Sequence, residues 1–220
     1  MLELKNISHS YLSYKRNHDV LSLVNIHFDK SSITTIFGNS GTGKSTLLNI
    51  AGLVIPPIEG EIFLNNKIVN HSIDKAKLRL RYYGYVFQNH YLLPEFTVKE
   101  NLMLPGIIIG DNKKAISNRV FRYLDRFNMT KLKDKYPHHI SMGESQRIAV
   151  IRSLINKPKI IIADEPTSNL DDENADIISN LFDELINEMK YSIIIATHDK
   201  RFLQLSDKNY KLNNKNLIKL

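Results

Sequence analysis

Apolar and polar positions alternate in "LELKNI", residues 2–7, and again in "VLSLVNIHF", the period-two pattern of half-buried strands. The run "SSITTIF", residues 31–37, is rich in β-branched residues and ends at glycines, so it predicts a strand opening into a loop. In "KSTLLNIAGLV" the apolar residues Leu47, Leu48, Ile50, Ala51 and Val54 fall at helical spacing, and the helix must stop before Pro56 and Pro57. "GEIFLNNKIV" predicts a hairpin turning at Asn65 and Asn66, and "YYGYVFQNHYLLPEFTVKENLMLP" a short strand followed by a proline-broken connection. Helical spacing dominates residues 97–154, as in "AISNRVFRYLDRF", where Ile116, Val120, Leu124 and Phe127 share a face. Two continuous apolar runs, "KIIIADEP" and "YSIIIATHD", read as buried strands separated by the helix "NADIISNLFDELINEM". Strands alternating with helices predict a mostly parallel sheet, with the central helical stretch as an inserted lobe.

The loop after the third predicted strand carries the first candidate chemistry. "GNSGTGKST" comprises Gly38, Asn39, Ser40, Gly41, Thr42, Gly43, Lys44, Ser45 and Thr46 and fits G-x-x-x-x-G-K-[ST] in a strand-loop-helix setting. Its glycines let successive N–H groups and the helix N-terminus face an anion. Lys44 offers a point charge to β- and γ-phosphates, and Ser45 a hydroxyl to Mg²⁺. In "IIIADE" a buried strand delivers Asp164 and Glu165 at its C-terminal end, where open α/β sheets place ligands. Asp164 is expected to orient the metal, and Glu165, pointing to the other side of the strand, to act as general base on the attacking water. The GTPase patterns D-x-x-G and N-K-x-D do not occur, which points to ATP.

Composition narrows the setting. At 220 residues with 42% hydrophobic content, the chain is long and apolar enough for one globular domain with an inserted lobe. It has no cysteine, which excludes disulfides and thiolate metal sites and fits a reducing compartment. No apolar run reaches membrane-span length, and the first residues lack a signal-peptide pattern, so nothing marks the chain for export. The net charge of +7 and pI near 9.4 permit an acidic partner, but the lysines are scattered as on an ordinary solvated surface.

Taken in order, "GNSGTGKST", "FQN", "ISMGESQR", "IIIADEPTSNLD" and "IIIATHD" resemble the ATP-binding subunits of ABC transporters over nearly the whole chain. The resemblance implies an α/β fold of the P-loop NTPase class: a RecA-like, mostly parallel sheet, an antiparallel β subdomain and an inserted helical lobe. It implies one ATP-binding domain over residues 1–220, its core about 1–90 and 155–220 and its lobe about 91–154. Gln88 then matches the glutamine that senses Mg²⁺ and water, His198 the histidine on the γ-phosphate, and Asp171 the loop between two subunits. Tyr11 is the candidate for stacking on adenine, with Tyr14 as alternative. The signature motif, usually L-S-G-G-[EQ]-Q, corresponds to Ile140 through Ser145 and would cap the γ-phosphate of an opposite subunit through Ser141, Gly143 and Glu144. Met142 stands where the first glycine is usual and is expected to be tolerated, unless a positive φ is needed there.

Within the family, "NHYLLPEFTVKENLMLPGIIIG" and "ADEPTSNLD" are similar to the lipoprotein-releasing (Lol-type) ATPase subunits, with Ser168 in place of a glycine. Macrolide-efflux and cell-division ATPase subunits share much of this pattern. The resemblance implies ATP and Mg²⁺, a homodimer sandwiching two ATPs, separate transmembrane permease subunits docking near Gln88 and the lobe, and a peripheral place on the cytoplasmic face of the inner membrane. It implies no nucleic-acid partner: DNA-associated ABC ATPases carry a long coiled-coil insertion between phosphate loop and signature, and none is present here. A non-hydrolysing nucleotide-gated module is disfavoured by Glu165.

Overall fold

The computed structural model describes residues 1–13 and 16–220, so Tyr14 lies outside the described residues. Two sheets organise the chain. Strands β1 (Leu2–Ser13), β2 (Arg16–Phe28), β4 (Glu59–Leu64) and β5 (Lys67–Ile68) form an antiparallel sheet in the order β2-β1-β4-β5. The β4–β5 turn is made by Asn65 and Asn66, both left-handed at φ 51° and 62°, as a two-residue hairpin requires. The second sheet runs β10-β9-β3-β8-β7-β6, with β3 (Ile33–Phe37), β6 (Tyr83–Val86), β7 (Ile160–Asp164), β8 (Ser192–Thr197), β9 (Lys208–Asn213) and β10 (Asn216–Lys219). Only β10 is antiparallel to its neighbour.

The apolar runs of β7 and β8 are continuous because both faces of this sheet are covered. Ile160, Ile162, Ile194 and Ala196 face one hydrophobic cluster, which includes the antiparallel sheet and α1 (Lys44–Ala51). Ile161, Ala163, Ile193 and Ile195 face the other. That second cluster is filled by α3 (Val98–Ile109), α4 (Lys113–Arg126), α5 (Met142–Leu154) and α6 (Asp172–Asn187). Among the described residues, a short α2 (Lys75–Tyr82) and α7 (Arg201–Leu205) complete the α-helices. Thr97 and Ser141 cap α3 and α5 with reciprocal capping boxes to Glu100 and Glu144.

Three details depart from the sequence pattern. α1 ends at Ala51, capped by Gly52, so Val54 lies beyond the helix and is exposed. Phe127 caps the C-terminus of α4 rather than lying within it, and packs half-buried against the same cluster as Ile116, Val120 and Leu124. Asp164 is the last residue of β7, which leaves Glu165 off the strand.

Because β3, β8 and β7 are adjacent and parallel, their C-terminal ends converge. β3 leads into the phosphate loop, β7 into Asp164 and Glu165, and β8 into Thr197 and His198. Sheet topology thus gathers residues more than a hundred positions apart.

Candidate active site

The phosphate loop wraps around its own lysine. Gly43, preceding α1, has φ 103°, and a Cβ there would sit 2.5 Å from Val20 Cγ1, so both conformation and space demand glycine. Lys44 is 5% exposed, and its Nζ donates to the carbonyls of Gly38 at 2.7 Å and Asn39 at 3.0 Å. The ammonium also lies 3.0 Å from Glu165 Oε1. Thr42 Oγ1 donates to Asn39 O at 3.0 Å and tightens the loop. The first N–H groups of α1 lack intrahelical acceptors, so they add a positive end to the site.

A cavity of about 360 Å³ opens in front of this loop, lined by Tyr11, His18, Val20, Ser40, Gly41, Gly43, Lys44, Ser45, Thr46, Gln88, Glu165, Ser168 and His198. Most residues expected at the nucleotide therefore meet in one place, while Gly38, Asn39 and Thr42 build the loop behind it. Tyr11 Oη lies 3.3 Å from Thr46 Oγ1. His18, Val20 and Ser168 were not foreseen. His18 enters because it sits opposite Tyr11 in the β1–β2 register; its neighbours in "RNHDV" carry no such signal.

Burial pushes the carboxyl pKa of Asp164 up, against the opposing pull of the neighbouring Ser45 hydroxyl. Its Oδ1 is buried without a partner. An orphaned carboxylate oxygen beside a hydroxyl suits a hard divalent cation that takes oxygen ligands. Glu165 is positioned differently from the expectation that it would point across a strand. Its backbone is left-handed at φ 46°, a conformation that costs a non-glycine residue about 1–3 kcal/mol. The Glu165 N–H donates to Ala196 O at 2.8 Å and anchors this bend to β8. Glu165 Oε2 accepts from Thr197 Oγ1 at 3.2 Å and the His198 N–H at 3.4 Å, and lies 2.9 Å from His198 Nδ1. The bend places one carboxylate between an ammonium and an imidazole, at the mouth of the phosphate cavity. Arg201, at the start of α7, ties α6 to the loop after β8 through Asp172, Asp176 and Asp199.

The stretch around Ser141 stands apart from this cavity. Ser141 Oγ accepts from the Glu144 N–H at 3.1 Å, and Glu144 accepts from the Ser141 N–H at 2.7 Å. Met142 is the first residue of α5, is 54% exposed and is not among the positive-φ residues, so its Cβ carries no backbone cost. Gly143 is glycine for a reason internal to the chain: a Cβ there would lie 2.1 Å from Asn174 Oδ1. Asn174 in turn donates from its backbone and side chain to Asp171, the N-cap of α6. Ser141, Glu144 and Asp171 therefore lie at adjoining helix starts with Gly143 buried beneath them, and none of the four lines this chain's own cavity in front of the glycine loop.

A family described as "ABC transporter" matches residues 21–168. The lipoprotein-releasing system ATP-binding protein LolD of Rickettsia bellii is 41% identical over 212 residues, 96% of this chain and 95% of that protein. The protein of the same name from Treponema denticola is 38% identical over 217 residues, 97% of this chain and 96% of its own length. Among solved structures, a dimeric ATP-binding cassette in a post-hydrolysis state, bound to ADP and Pi, superposes with a TM-score of 0.90 at 31% identity. The match covers 99% of this chain and 96% of that one. A phosphate loop closed on Lys44, an acid pair at the end of β7 and near-full-length similarity agree: the chain is an ATP-hydrolysing member of the ABC transporter family.

Proposed function

We propose that this chain is the subunit whose ATP hydrolysis drives release of lipoproteins from the inner membrane by separate membrane-embedded permease subunits. The observation that carries this reading is its similarity, 41% and 38% identical over nearly the full length, to the two lipoprotein-releasing ATP-binding proteins. In it, Lys44 and the α1 amides bind the phosphates and Tyr11 stacks on adenine. Ser45 and Asp164, with Gln88, hold Mg²⁺, which when bound neutralises phosphate charge. Glu165 takes the proton of the attacking water, and His198, bonded to the same carboxylate, orients it and reaches the γ-phosphate.

The surface of Ser141, Gly143, Glu144 and Asp171 closes the site of a second copy, so that two ATPs are held in a head-to-tail homodimer. No helix among the described residues is long and apolar enough to cross a membrane. The chain works peripherally, at the cytoplasmic face. A second cavity of about 530 Å³, between α2, β6, α3 and α5, is walled by Tyr85, Phe87, Tyr91, Ile108 and Arg152 and accepts the permease. The test is lipoprotein release from proteoliposomes holding this chain and its co-purified permease subunits. ATP-dependent release that disappears with Glu165→Gln supports the assignment; a complex that hydrolyses ATP without releasing lipoprotein refutes the cargo.

A further inference from the structure

Residues 87–97, between β6 and α3, carry Gln88 and have no regular secondary structure. Two side chains hold this segment. Asn101, fully buried on α3, accepts from the Leu93 N–H at 2.7 Å and donates to the carbonyls of Leu93, Phe96 and Thr97, each at 3.0 Å. That fixes the far end. Arg152, on α5, fixes the near end: Nη2 donates to His90 O and Nη1 to Tyr91 O, both at 2.6 Å.

Arg152 is an unusual residue to spend on a loop. Burial pushes its guanidinium pKa down, and among the described residues no carboxylate pairs with it. A half-buried cation without a counter-ion still needs its donors satisfied. Here the partners are two main-chain carbonyls, and one belongs to Tyr91, whose left-handed φ of 46° a bulky residue seldom adopts. Gln88 itself makes no hydrogen bond among the described residues, yet it lines the nucleotide cavity. Its position is therefore set by the backbone on either side: the β6 ladder through Val86, and the Arg152 clamp beginning at His90.

We infer that Arg152 is a positioning residue for Gln88: by clamping the His90 and Tyr91 carbonyls, it holds the glutamine side chain where it meets the nucleotide and its metal. Because Arg152 belongs to α5, the helix that starts at Ser141, the clamp also ties Gln88 to the surface offered to a second copy. This rests on the proposed role of Gln88 at the nucleotide.

The test is a double-mutant cycle on the full-length protein, using Arg152→Lys, Gln88→Ala and the double variant. A lysine carries its three donors on one nitrogen, so it does not reproduce the planar two-nitrogen fork by which the guanidinium meets both carbonyls. ATPase turnover is measured against ATP and Mg²⁺ concentration, with ADP affinity and thermal midpoint alongside. Arg152→Lys is expected to lower kcat about tenfold, the scale of a small misplacement of a reacting group, with ADP affinity unchanged. In the Gln88→Ala background the same substitution should cost less than about twofold, because both changes act through one side chain. If Gln88→Ala alone leaves kcat and Mg²⁺ dependence untouched, the proposed role of Gln88 is wrong. If Gln88→Ala is impaired and Arg152→Lys still costs its full factor on top, Gln88 stands and the positioning inference is overturned. A fall of more than about 10 °C in the thermal midpoint would likewise overturn it, making Arg152 a stability residue.

Discussion

Replacing Glu165 by glutamine separates two effects that the geometry places on one carboxylate. Glu165 Oε1 pairs with Lys44 Nζ at 3.0 Å, and the two side chains are 12% and 5% exposed. The ammonium is fully engaged, since Gly38 O and Asn39 O take its other protons. An arriving phosphate must therefore draw Lys44 away from Glu165. At an effective dielectric constant near 20, the pair's Coulomb attraction is about 5 kcal/mol, most of it cancelled by desolvation. The net worth of a charge-assisted hydrogen bond is about 1.5–3 kcal/mol, against about 1 for the neutral bond that glutamine could make. The difference, about 1 kcal/mol, corresponds to roughly fivefold in a dissociation constant. Glu165→Gln should thus bind ADP roughly fivefold more tightly while hydrolysing ATP about 10²- to 10⁴-fold more slowly. Fluorescent ADP titration reads the first effect and phosphate release the second. ADP affinity that is unchanged or weaker would refute the competition between carboxylate and phosphate for Lys44. Normal turnover would remove Glu165 from the role of base.

Met142→Gly should leave ATPase turnover within a few-fold, because Met142 is exposed in an ordinary helical conformation; a large gain would mean that its side chain obstructs the second copy. Asp164→Asn should abolish Mg²⁺-dependent hydrolysis yet raise the thermal midpoint. Burial raises the folded-state pKa of Asp164, so its ionised form costs stability above that pKa, and the cost disappears as pH falls through it. The midpoint therefore rises at neutral pH, and the gain shrinks in acid. A midpoint that drops instead would show the carboxylate to be a net stabilising group.

The phosphate loop and the acids after β7 were legible because each is a local pattern in a local context: glycines after a β-branched run, and two carboxylates after four apolar residues. The buried strands were legible for the same reason. Most of what escaped depends on contacts distant in sequence. α2 has no buried residue and so presents no apolar stripe to read; it starts because Asp74 caps it. His18 reaches the cavity in front of the glycine loop only through its register with Tyr11. Nothing near Glu165 announces a left-handed backbone, since that bend comes from its bond to β8. Gly143 was read as a phosphate contact of a second copy, and the atom that crowds it within this chain, on Asn174 of α6, was not legible. The Arg152 clamp is hidden in the same way: on sequence alone it is one more polar position on α5.

The claim that each catalytic site is built from two copies, with the phosphate loop of one and the Ser141 surface of the other, can be tested by mixing two inactive variants. Lys44→Ala removes the buried ammonium from the phosphate loop, and Ser141→Arg puts a bulky side chain on the capping surface while leaving Lys44 and its cavity intact. Each variant alone should hydrolyse almost no ATP. In an equimolar mixture, half of the randomly formed dimers are mixed, and each mixed dimer carries one site with both halves intact. The mixture should therefore recover roughly a quarter of the wild-type rate. A mixture as inactive as its components, or a Ser141→Arg protein that turns over ATP normally by itself, would contradict the shared site.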